Sequence, residues 1–281
     1  MFPNHGWRNC DRHSHDTSPA AVVSQPLAPQ WDCRKAILLR SIFFLNCYNR
    51  CVQLLENQNK KVLKRRAAKI ISALKKLFPN AKIALKYGNN WELLVAVELS
   101  AQCTDKKVNE VTEKLFKKYR KLEDYVRASA NRRRIAEFER DIRSTGFYRA
   151  KTKSILRAAK VVKEKFGGKL PRTMAEMIKI PGVGRKSANV ILGNAYGVVE
   201  GIAVDTHVKR LSKQLGLTAH TDPAKIERDL MTIIPKKDWF KTTYLLIDFG
   251  RAYCKARPHD HAKHPLGEFY LSTLRAARSM R

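Results

Sequence analysis

Apolar residues recur every three or four positions along almost all of the chain from Lys61 onward. Residues at this interval fall on one face of a helix, whereas a half-buried strand requires alternation of apolar and polar residues. The interval is clearest in the segments 68–78, 93–99 and 108–116. The sequence contains no alternating segment of useful length and no long internal repeat. It therefore predicts an all-α fold.

Helix-start signals support this prediction. Ser, Thr, Asp and Asn side chains accept hydrogen bonds from the free amides of a first helical turn, and proline is tolerated there. The candidate positions are Thr104 with Asp105, Thr173 with Glu176, Asp205, and Asp222 with Pro223. They predict helices that begin directly after these residues, including one over 206–215.

The chain is strongly basic, with 56 Lys and Arg against 25 Asp and Glu, a net charge of +31. The first 60 residues hold only seven of the basic and four of the acidic residues, so a net charge of +28 lies on residues 61–281. Such a charge favours a polyanionic partner, most often nucleic acid. Ribosomal and membrane-surface proteins are also basic, so charge alone does not name the partner.

The first 60 residues differ from the rest in having no regular apolar interval over residues 1–30. We expect residues 1–60 to be an N-terminal extension: an appended helix, a disordered arm, or upstream sequence from a wrong start codon. The apolar run 36–45 is too short to span a bilayer, and no signal-peptide pattern is present. Six scattered cysteines fit a reducing compartment. These features predict a cytoplasmic protein without a membrane partner.

The most informative segment is Ile180–Leu192, which contains Pro181-Gly182-Val183-Gly184-Arg185-Lys186. A capped helix leads into Pro-Gly-x-Gly and a second helix follows at once, so residues 174–195 are predicted to form a helix–hairpin–helix. Glycines permit a tight turn that presents amide groups to a phosphate. Such a hairpin holds the DNA backbone without reading base sequence. The alternative is a glycine-rich turn that only packs.

Four ordered segments resemble the endonuclease III family of the helix–hairpin–helix glycosylase superfamily. They are Leu93–Asp105, Thr145–Lys151, Ile180–Leu192 and Gly201–Arg210. The resemblance covers roughly residues 62–275. It implies a six-helix barrel at 85–200, a second helical domain from 61–84 plus 201–275, and a basic tail at 276–281. It also implies that duplex DNA binds in the cleft between the domains.

The resemblance implies base-excision repair by a bifunctional DNA glycosylase and abasic-site lyase that removes oxidised pyrimidines. By position Lys186 matches the family's nucleophile, an amine able to form a Schiff base at the sugar. Asp205 matches the essential carboxylate. On residue chemistry alone, phosphate binding at a helix start is the favoured role of Lys186, and Asp205 could simply cap a helix.

Further DNA contacts follow from the same resemblance. Gln102 would fill the gap left by an extruded base, and Phe147 would wedge between bases of the opposite strand. The hairpin residues Pro181, Gly182, Val183, Gly184 and Arg185 would contact the backbone. His207 either contacts DNA or packs in the protein. Taken alone, Phe147 resembles a core aromatic and Gln102 a solvent-facing helix end.

The chain departs from the family at its C-terminal end. Family members usually carry four cysteines spaced C-x6-C-x2-C-x5-C that hold an iron–sulfur cluster. Counting from Cys254, this spacing reaches His261, His264 and Tyr270. One thiolate cannot hold a cubane cluster, so we expect no cluster and no metal. Packing of Leu266, Phe269, Tyr270 and Leu271 would replace it. The alternative is zinc held by Cys254, His261 and His264, with Asp260 or His259.

Two other functions are compatible with parts of the sequence. A mismatch adenine glycosylase shares the superfamily but generally lacks a lysine at position 186 and carries an extra C-terminal domain. A non-catalytic helix–hairpin–helix module would need neither Lys186 nor Asp205. The chain has a lysine at position 186, which favours the lyase over the adenine glycosylase. We predict an enzyme that acts as a monomer on damaged double-stranded DNA and is associated with the nucleoid.

Overall fold

The computed structural model describes residues 58–257 and 259–270. Within these ranges the chain is helical and contains no β-strand, which confirms the all-α prediction. The helices are α1 (58–77), α2 (Asn90–Leu99), α3 (Asp105–Lys118), α4 (Leu122–Ala128), α5 (Arg132–Ile142), α6 (Tyr148–Lys165), α7 (Met174–Met177), α8 (Arg185–Tyr196), α9 (Thr206–Gln214), α10 (Pro223–Ile233) and α11 (Trp239–Ala252). Residues 267–270 are also helical.

Two predicted segments fall largely outside the described residues. Of the N-terminal extension predicted at 1–60, the structure describes only 58–60, which belong to α1. The predicted basic tail at 276–281 lies beyond the last described residue.

The predicted helix caps are confirmed. At each of four helix starts, a side-chain oxygen accepts a hydrogen bond from an amide of the first turn. The pairs are Thr104 with Lys107 at 3.3 Å, Thr173 with Glu176 at 3.3 Å, Asp205 with Val208 at 2.8 Å and Asp222 with Lys225 at 2.9 Å. Short-range sequence signals therefore located these helix starts correctly.

Two helices are shorter than expected. The first helix, implied at 61–83 by the family resemblance, ends at 77, and the capped helix predicted before the hairpin, from about Met174 to Ile180, ends at Met177. Prolines follow both ends, at Pro79 and Pro181. Because a proline disfavours helical geometry in the residue before it, the chain leaves the helix first.

The first of two hydrophobic cores is built from α2 to α8. Its central side chains are fully or almost fully buried and include Leu93, Leu94, Tyr125, Phe138, Ile155 and Ile191. Tyr125 and Phe138 pack edge to face with ring centroids 5.8 Å apart. Aromatic pairs of this geometry add to the stabilisation from apolar burial.

The second core joins α1 to the C-terminal helices. Ile70 and Leu74 of α1 are fully buried against residues of α9, α10 and α11, among them Leu211, Leu230 and Phe249. A segment far away in sequence therefore completes this core. The described helices thus form two cores, one from α2 to α8 and one from α1 with the C-terminal helices, as the predicted two-domain all-α fold requires.

Polar contacts join the two cores next to the hairpin. The Nε of Arg185 on α8 donates to the buried carboxylate of Glu227 on α10 at 2.6 Å. The other oxygen of Glu227 accepts from Asn189 Nδ2 at 2.9 Å. Since Glu227 is almost fully buried, these two donors offset the cost of removing its charge from water.

None of the helices in residues 58–257 and 259–270 has the length and apolar character needed to cross a bilayer.

Candidate active site

The predicted helix–hairpin–helix is present, with α7 and α8 joined by a tight turn over residues 178–184. The Val183 amide donates to the Ile180 carbonyl at 3.1 Å, and Gly182 has a φ of +83°. A Cβ at Gly182 would overlap Ser154 Oγ and lie 2.7 Å from the Glu98 carboxylate. Glycine is therefore required at this position both by backbone geometry and by space.

A buried carboxyl group lies directly beneath this turn. Glu98 on α2 is 7% exposed, and its Oε1 has no hydrogen-bond partner within the described residues. Burial raises the pKa of Glu98 from 4.5 to about 8, and a hydrogen bond from Ser154 partly offsets this rise. At neutral pH the side chain is therefore predominantly protonated.

We expect Glu98 to make stability depend on pH. Its folded pKa lies above its unfolded pKa, so its contribution to stability is complete below about pH 4.5 and is lost as pH rises through about 8. Glu98→Gln keeps the shape without a titrating proton. As the pH rises from 5 to 8, the free energy of unfolding of the wild type should fall by up to a few kcal/mol relative to that of Glu98→Gln. Chemical denaturation at several pH values measures this difference.

Glu113→Gln, which changes an exposed carboxylate, is the matched control. It should track the wild type at every pH. A Glu98→Gln curve parallel to the wild-type curve over this range would show that Glu98 is ionised in the folded protein and that the assigned protonation is wrong.

A cavity of about 450 Å³ lies beside the hairpin and is lined by residues from both cores. It brings together three predicted site residues that are distant in sequence, Gln102, Lys186 and Asp205. His207, also predicted, lines it as well. Clefts between domains are common positions for active sites.

Asp205 is held from two directions. Its Oδ1 caps α9 by accepting from the Val208 amide at 2.8 Å. Two residues earlier, the Ala203 carbonyl accepts from Thr243 Oγ1 at 2.9 Å, which fixes the approach to the helix. Because Oδ2 has no hydrogen bond to any described residue, one oxygen of the carboxylate orients it while the other remains available in the cavity.

Lys186 is exposed in the first turn of α8. The N-cap of this helix is Gly184, which has no side chain to bond the first-turn amides. The free amides therefore lie next to an exposed amine, which suits binding of an anion beside the reacting group.

Arg185, the neighbour of Lys186, was predicted to contact DNA. Its guanidinium is paired with Glu227, although the side chain remains half exposed. Part of its charge is thus used within the protein.

His207 packs against α11 as well as lining the cavity. Its Nδ1 is buried without a hydrogen-bond partner in the described part of the chain, and a Cβ at Gly250 would lie 2.5 Å from it. Burial lowers the pKa of the His207 imidazole below its usual value, an effect that the Asp205 carboxylate opposes. The close packing favours the second predicted role of His207, packing within the protein.

Two loops carry the other predicted DNA contacts. Gln102 follows α2 with a φ of 53°, and Phe147 precedes α6 with a φ of 47°. Both residues are exposed, Phe147 by 64%. Left-handed geometry is unfavourable for side chains other than glycine and asparagine, so the surrounding structure must hold it in place. The exposure of Phe147 argues against the alternative that it is a core aromatic.

A buried lysine joins these two loops. Lys151 on α6 is 6% exposed, and its Nζ donates to the Leu99 carbonyl at 2.7 Å and to the Thr145 carbonyl at 2.8 Å. Desolvation lowers the pKa of this amine. Sequence reasoning placed Lys151 in a motif but gave it no role. A lysine in the apolar pattern of α6 was the available signal.

Comparisons with known proteins identify the family. Residues 95–236 match the HhH-GPD superfamily base excision DNA repair protein family. An endonuclease III of Synechocystis sp. is 49% identical over 194 residues, covering 69% of this chain and 86% of that relative. An endonuclease III of Bacillus subtilis is 47% identical over 191 residues, covering 68% of this chain and 84% of that relative. The chain belongs to the endonuclease III family.

A solved member of this family has the same fold. The structure of a trapped endonuclease III–DNA covalent intermediate, an estranged-adenine complex, superposes with a TM-score of 0.70 and 42% sequence identity. The match covers 76% of this chain and 99% of that one. The present chain is therefore a base-excision repair enzyme of the DNA N-glycosylase and abasic-site lyase class.

The usual iron–sulfur cluster of the endonuclease III family does not fit the residues found here. Cys254 is the only cysteine that the structure describes near the C-terminal end. At the fourth position of the cluster spacing, the Tyr270 hydroxyl donates to Cys254 Sγ at 3.3 Å, and its ring stacks on His261 with centroids 4.4 Å apart. A cubane cluster needs a ligand for each iron and prefers thiolates. As predicted, Leu266, Phe269 and Tyr270 pack in the second core, whereas Leu271 lies outside the described residues.

The prediction that this end of the chain binds no metal is not confirmed, because four potential ligands lie close together there. Cys254, His259, His261 and His264 lie close enough to hold a metal ion.

Proposed function

We propose that this enzyme removes oxidised pyrimidines from double-stranded DNA and then cleaves the strand at the abasic site, using Lys186 as nucleophile and Asp205 as the assisting carboxylate. The observation that carries the proposal is the cavity shared by Lys186, Asp205 and Gln102 at the end of the hairpin. The covalent enzyme–DNA intermediate of the structural relative supports it.

The chemistry requires an amine and a carboxylate in one site. The neutral amine of Lys186 attacks C1′ of the sugar, the bond from C1′ to the base breaks, and the base leaves with a proton. The ring opens to give a Schiff base between Nζ and C1′. Loss of a proton from C2′ then expels the 3′ phosphate by β-elimination. Hydrolysis of the remaining imine releases the lysine.

Asp205 would act by charge and by proton transfer. Positive charge develops on the sugar as the base departs, and a fixed carboxylate stabilises it without reorganising during the reaction. The free Oδ2 is the atom placed for this task, because Oδ1 is engaged in capping α9. The same carboxylate can move protons to and from the sugar.

The hairpin and the charge of the chain would bind the DNA backbone. Pro181, Gly182, Val183, Gly184 and Arg185 form the turn and the start of α8, where uncapped amides can bond a phosphate. A net charge of +31 adds a non-specific attraction that salt weakens steeply.

Gln102 and Phe147 would support the extruded nucleotide. Removing a base from the stack leaves a gap and costs a few kcal/mol, which groups inserted into the duplex offset. A polar side chain on one loop and an exposed aromatic ring on the other are suited to filling the gap and to wedging between neighbouring bases.

We expect Lys151→Met to weaken the DNA contacts of the Gln102 and Phe147 loops although residue 151 itself is buried. The change leaves the buried carbonyls of Leu99 and Thr145 without a donor, so both loops lose their common support. Affinity for a duplex with an abasic-site analogue should fall at least tenfold (about 1.4 kcal/mol), with a melting temperature lowered by several degrees. Fluorescence anisotropy and thermal unfolding measure the two effects.

Lys153→Met, an exposed lysine on the same helix, is the matched control and should change either quantity only slightly. Unchanged DNA affinity in a destabilised Lys151→Met protein would mean that the two loops do not depend on this lysine for binding.

Borohydride trapping tests the proposed function. The full-length enzyme is incubated with a duplex carrying one oxidised thymine or one abasic site, and the reductant converts the Schiff base to a stable amine. We expect a covalent adduct with both substrates and a cleaved strand in its absence. Base release without an adduct would leave a monofunctional glycosylase, and excision of adenine from a mispair in place of oxidised thymine would favour the adenine glycosylase alternative.

The monomeric state and the association with the nucleoid stay predictions.

A further inference from the structure

Four potential metal ligands converge between α11 and the last described helical turn. One donor atom from each of Cys254, His259, His261 and His264 lies within 4.8 Å of the others. Cys254 is fully buried two residues after the end of α11, and the three histidines follow within ten residues. This cluster lies apart from the cavity that holds Lys186 and Asp205, whose lining includes none of the four.

The hydrogen bonding of His259 leaves its Nε2 available to bind a metal ion. Its Nδ1 lies 2.5 Å from the Arg257 carbonyl oxygen, which can only accept a hydrogen bond. The Nδ1 therefore carries the proton, and in the neutral ring Nε2 carries the lone pair. That Nε2 is buried with no partner among the described residues. A backbone carbonyl that fixes the tautomer of a histidine is a regular feature of metal sites.

A second ring nitrogen in the cluster is also unsatisfied. The Nδ1 of His264 is buried and has no hydrogen bond to any residue that the structure describes. Buried polar atoms without partners are rare because each loses its hydration without compensation. Two of them within a four-residue cluster of ligand types indicate that a further group is bound there.

The sulfur is surrounded by donors in the way that metal-bound thiolates often are. Arg210 Nη1 lies 3.2 Å from Cys254 Sγ, and the Tyr270 hydroxyl lies 3.3 Å from it. Arg210 also donates to the Cys254 carbonyl at 2.8 Å. Such outer hydrogen bonds orient a ligand and stabilise its negative charge.

The donor set selects among metals. One thiolate and three imidazoles suit a single divalent ion in tetrahedral geometry, and zinc is the common ion in sites of mixed Cys and His ligands. Around tetrahedral zinc, neighbouring ligand atoms are about 3.3 to 3.6 Å apart, given bonds of about 2.0 Å to nitrogen and 2.3 Å to sulfur. The donors now lie up to 4.8 Å apart, so the four side chains must move closer together when the ion binds.

We propose that Cys254, His259, His261 and His264 bind one structural zinc ion at the position where relatives carry an iron–sulfur cluster. Four protein ligands close the coordination sphere and leave no position for a substrate, so the ion stabilises the fold and takes no part in the reaction. It fastens the segment after α11 to α9 through Arg210. His259 is the ligand that the family spacing does not contain.

Metal analysis of the full-length enzyme tests the proposal. Protein purified in the presence of zinc and then freed of loosely bound metal should contain about one zinc per chain. Replacement by cobalt(II) should give the visible bands of a tetrahedral ion together with a thiolate-to-cobalt charge-transfer band. Chelation should lower the melting temperature, and added zinc should restore it. An iron–sulfur absorption spectrum, or no zinc retained by the folded enzyme, would overturn the proposal.

Variants assign the ligands. Cys254→Ser should remove the charge-transfer band, and His264→Ala should weaken zinc affinity at least 100-fold. His220→Ala, which changes a histidine outside the cluster, should keep the wild-type stoichiometry and spectrum. Circular dichroism verifies that each variant is folded. If folded Cys254→Ser and His264→Ala proteins bind cobalt as the wild type does, the metal is held elsewhere and the assignment is wrong.

Discussion

Lys186→Ala is expected to eliminate the borohydride-trapped adduct and to lower strand cleavage at abasic sites at least 10³-fold, which is about 4 kcal/mol of transition-state stabilisation. The reason is that no Schiff base can form without the amine, so the path through β-elimination is closed. Binding should weaken much less, because the hairpin turn and the rest of the basic surface remain. Single-turnover cleavage and gel-shift titration separate the two effects.

Lys82 provides a matched control, since it lines the same cavity and its change to alanine removes the same charge. Lys82→Ala should still form the adduct. If the adduct persists in Lys186→Ala and disappears in Lys82→Ala, the nucleophile has been assigned to the wrong lysine. Persistence in both variants would point to a third amine.

Asp205→Asn is expected to lower the rate of base release by about 10²- to 10³-fold while leaving the melting temperature almost unchanged. Asparagine caps helices as well as aspartate does, so the bond to the Val208 amide survives and only the negative charge in the cavity is lost. Single-turnover release of an oxidised thymine measures the chemical step directly.

Asp205→Ala separates the two roles of this residue. It removes the cap as well as the charge, and should therefore show the same catalytic loss plus about 1 kcal/mol of lost stability. Asp222→Asn, at the cap of α10 and outside the cavity, should leave base release intact. A fully active Asp205→Asn enzyme would show that Asp205 serves only as a helix cap.

Much of the fold could be predicted because its signals are local. The helical interval of apolar residues, the caps at Thr173, Asp205 and Asp222, and the Pro-Gly-x-Gly turn each depend on residues within a few positions of one another. The end of α7 was missed because the expected helix ran up to Ile180, directly before Pro181, where helical geometry is disfavoured.

The candidate site was predicted through the family resemblance and not from spacing. Nothing local to Lys186 or Asp205 indicates that they share a cavity with Gln102, more than 80 positions earlier in the chain. The packing of two separate cores brings these residues together. The same packing pairs Arg185 with Glu227.

The sequence by itself determined the helices, their caps, the hairpin and the loss of the cluster cysteines, since each is a property of neighbouring residues. Only the tertiary structure decided the role of Lys151, whose amine joins carbonyls 52 and 6 positions away, and the placement of His259, in place of Asp260, beside the three other potential metal ligands. Hydrogen bonds and coordination depend on distances in space, which chain packing sets and sequence intervals do not record.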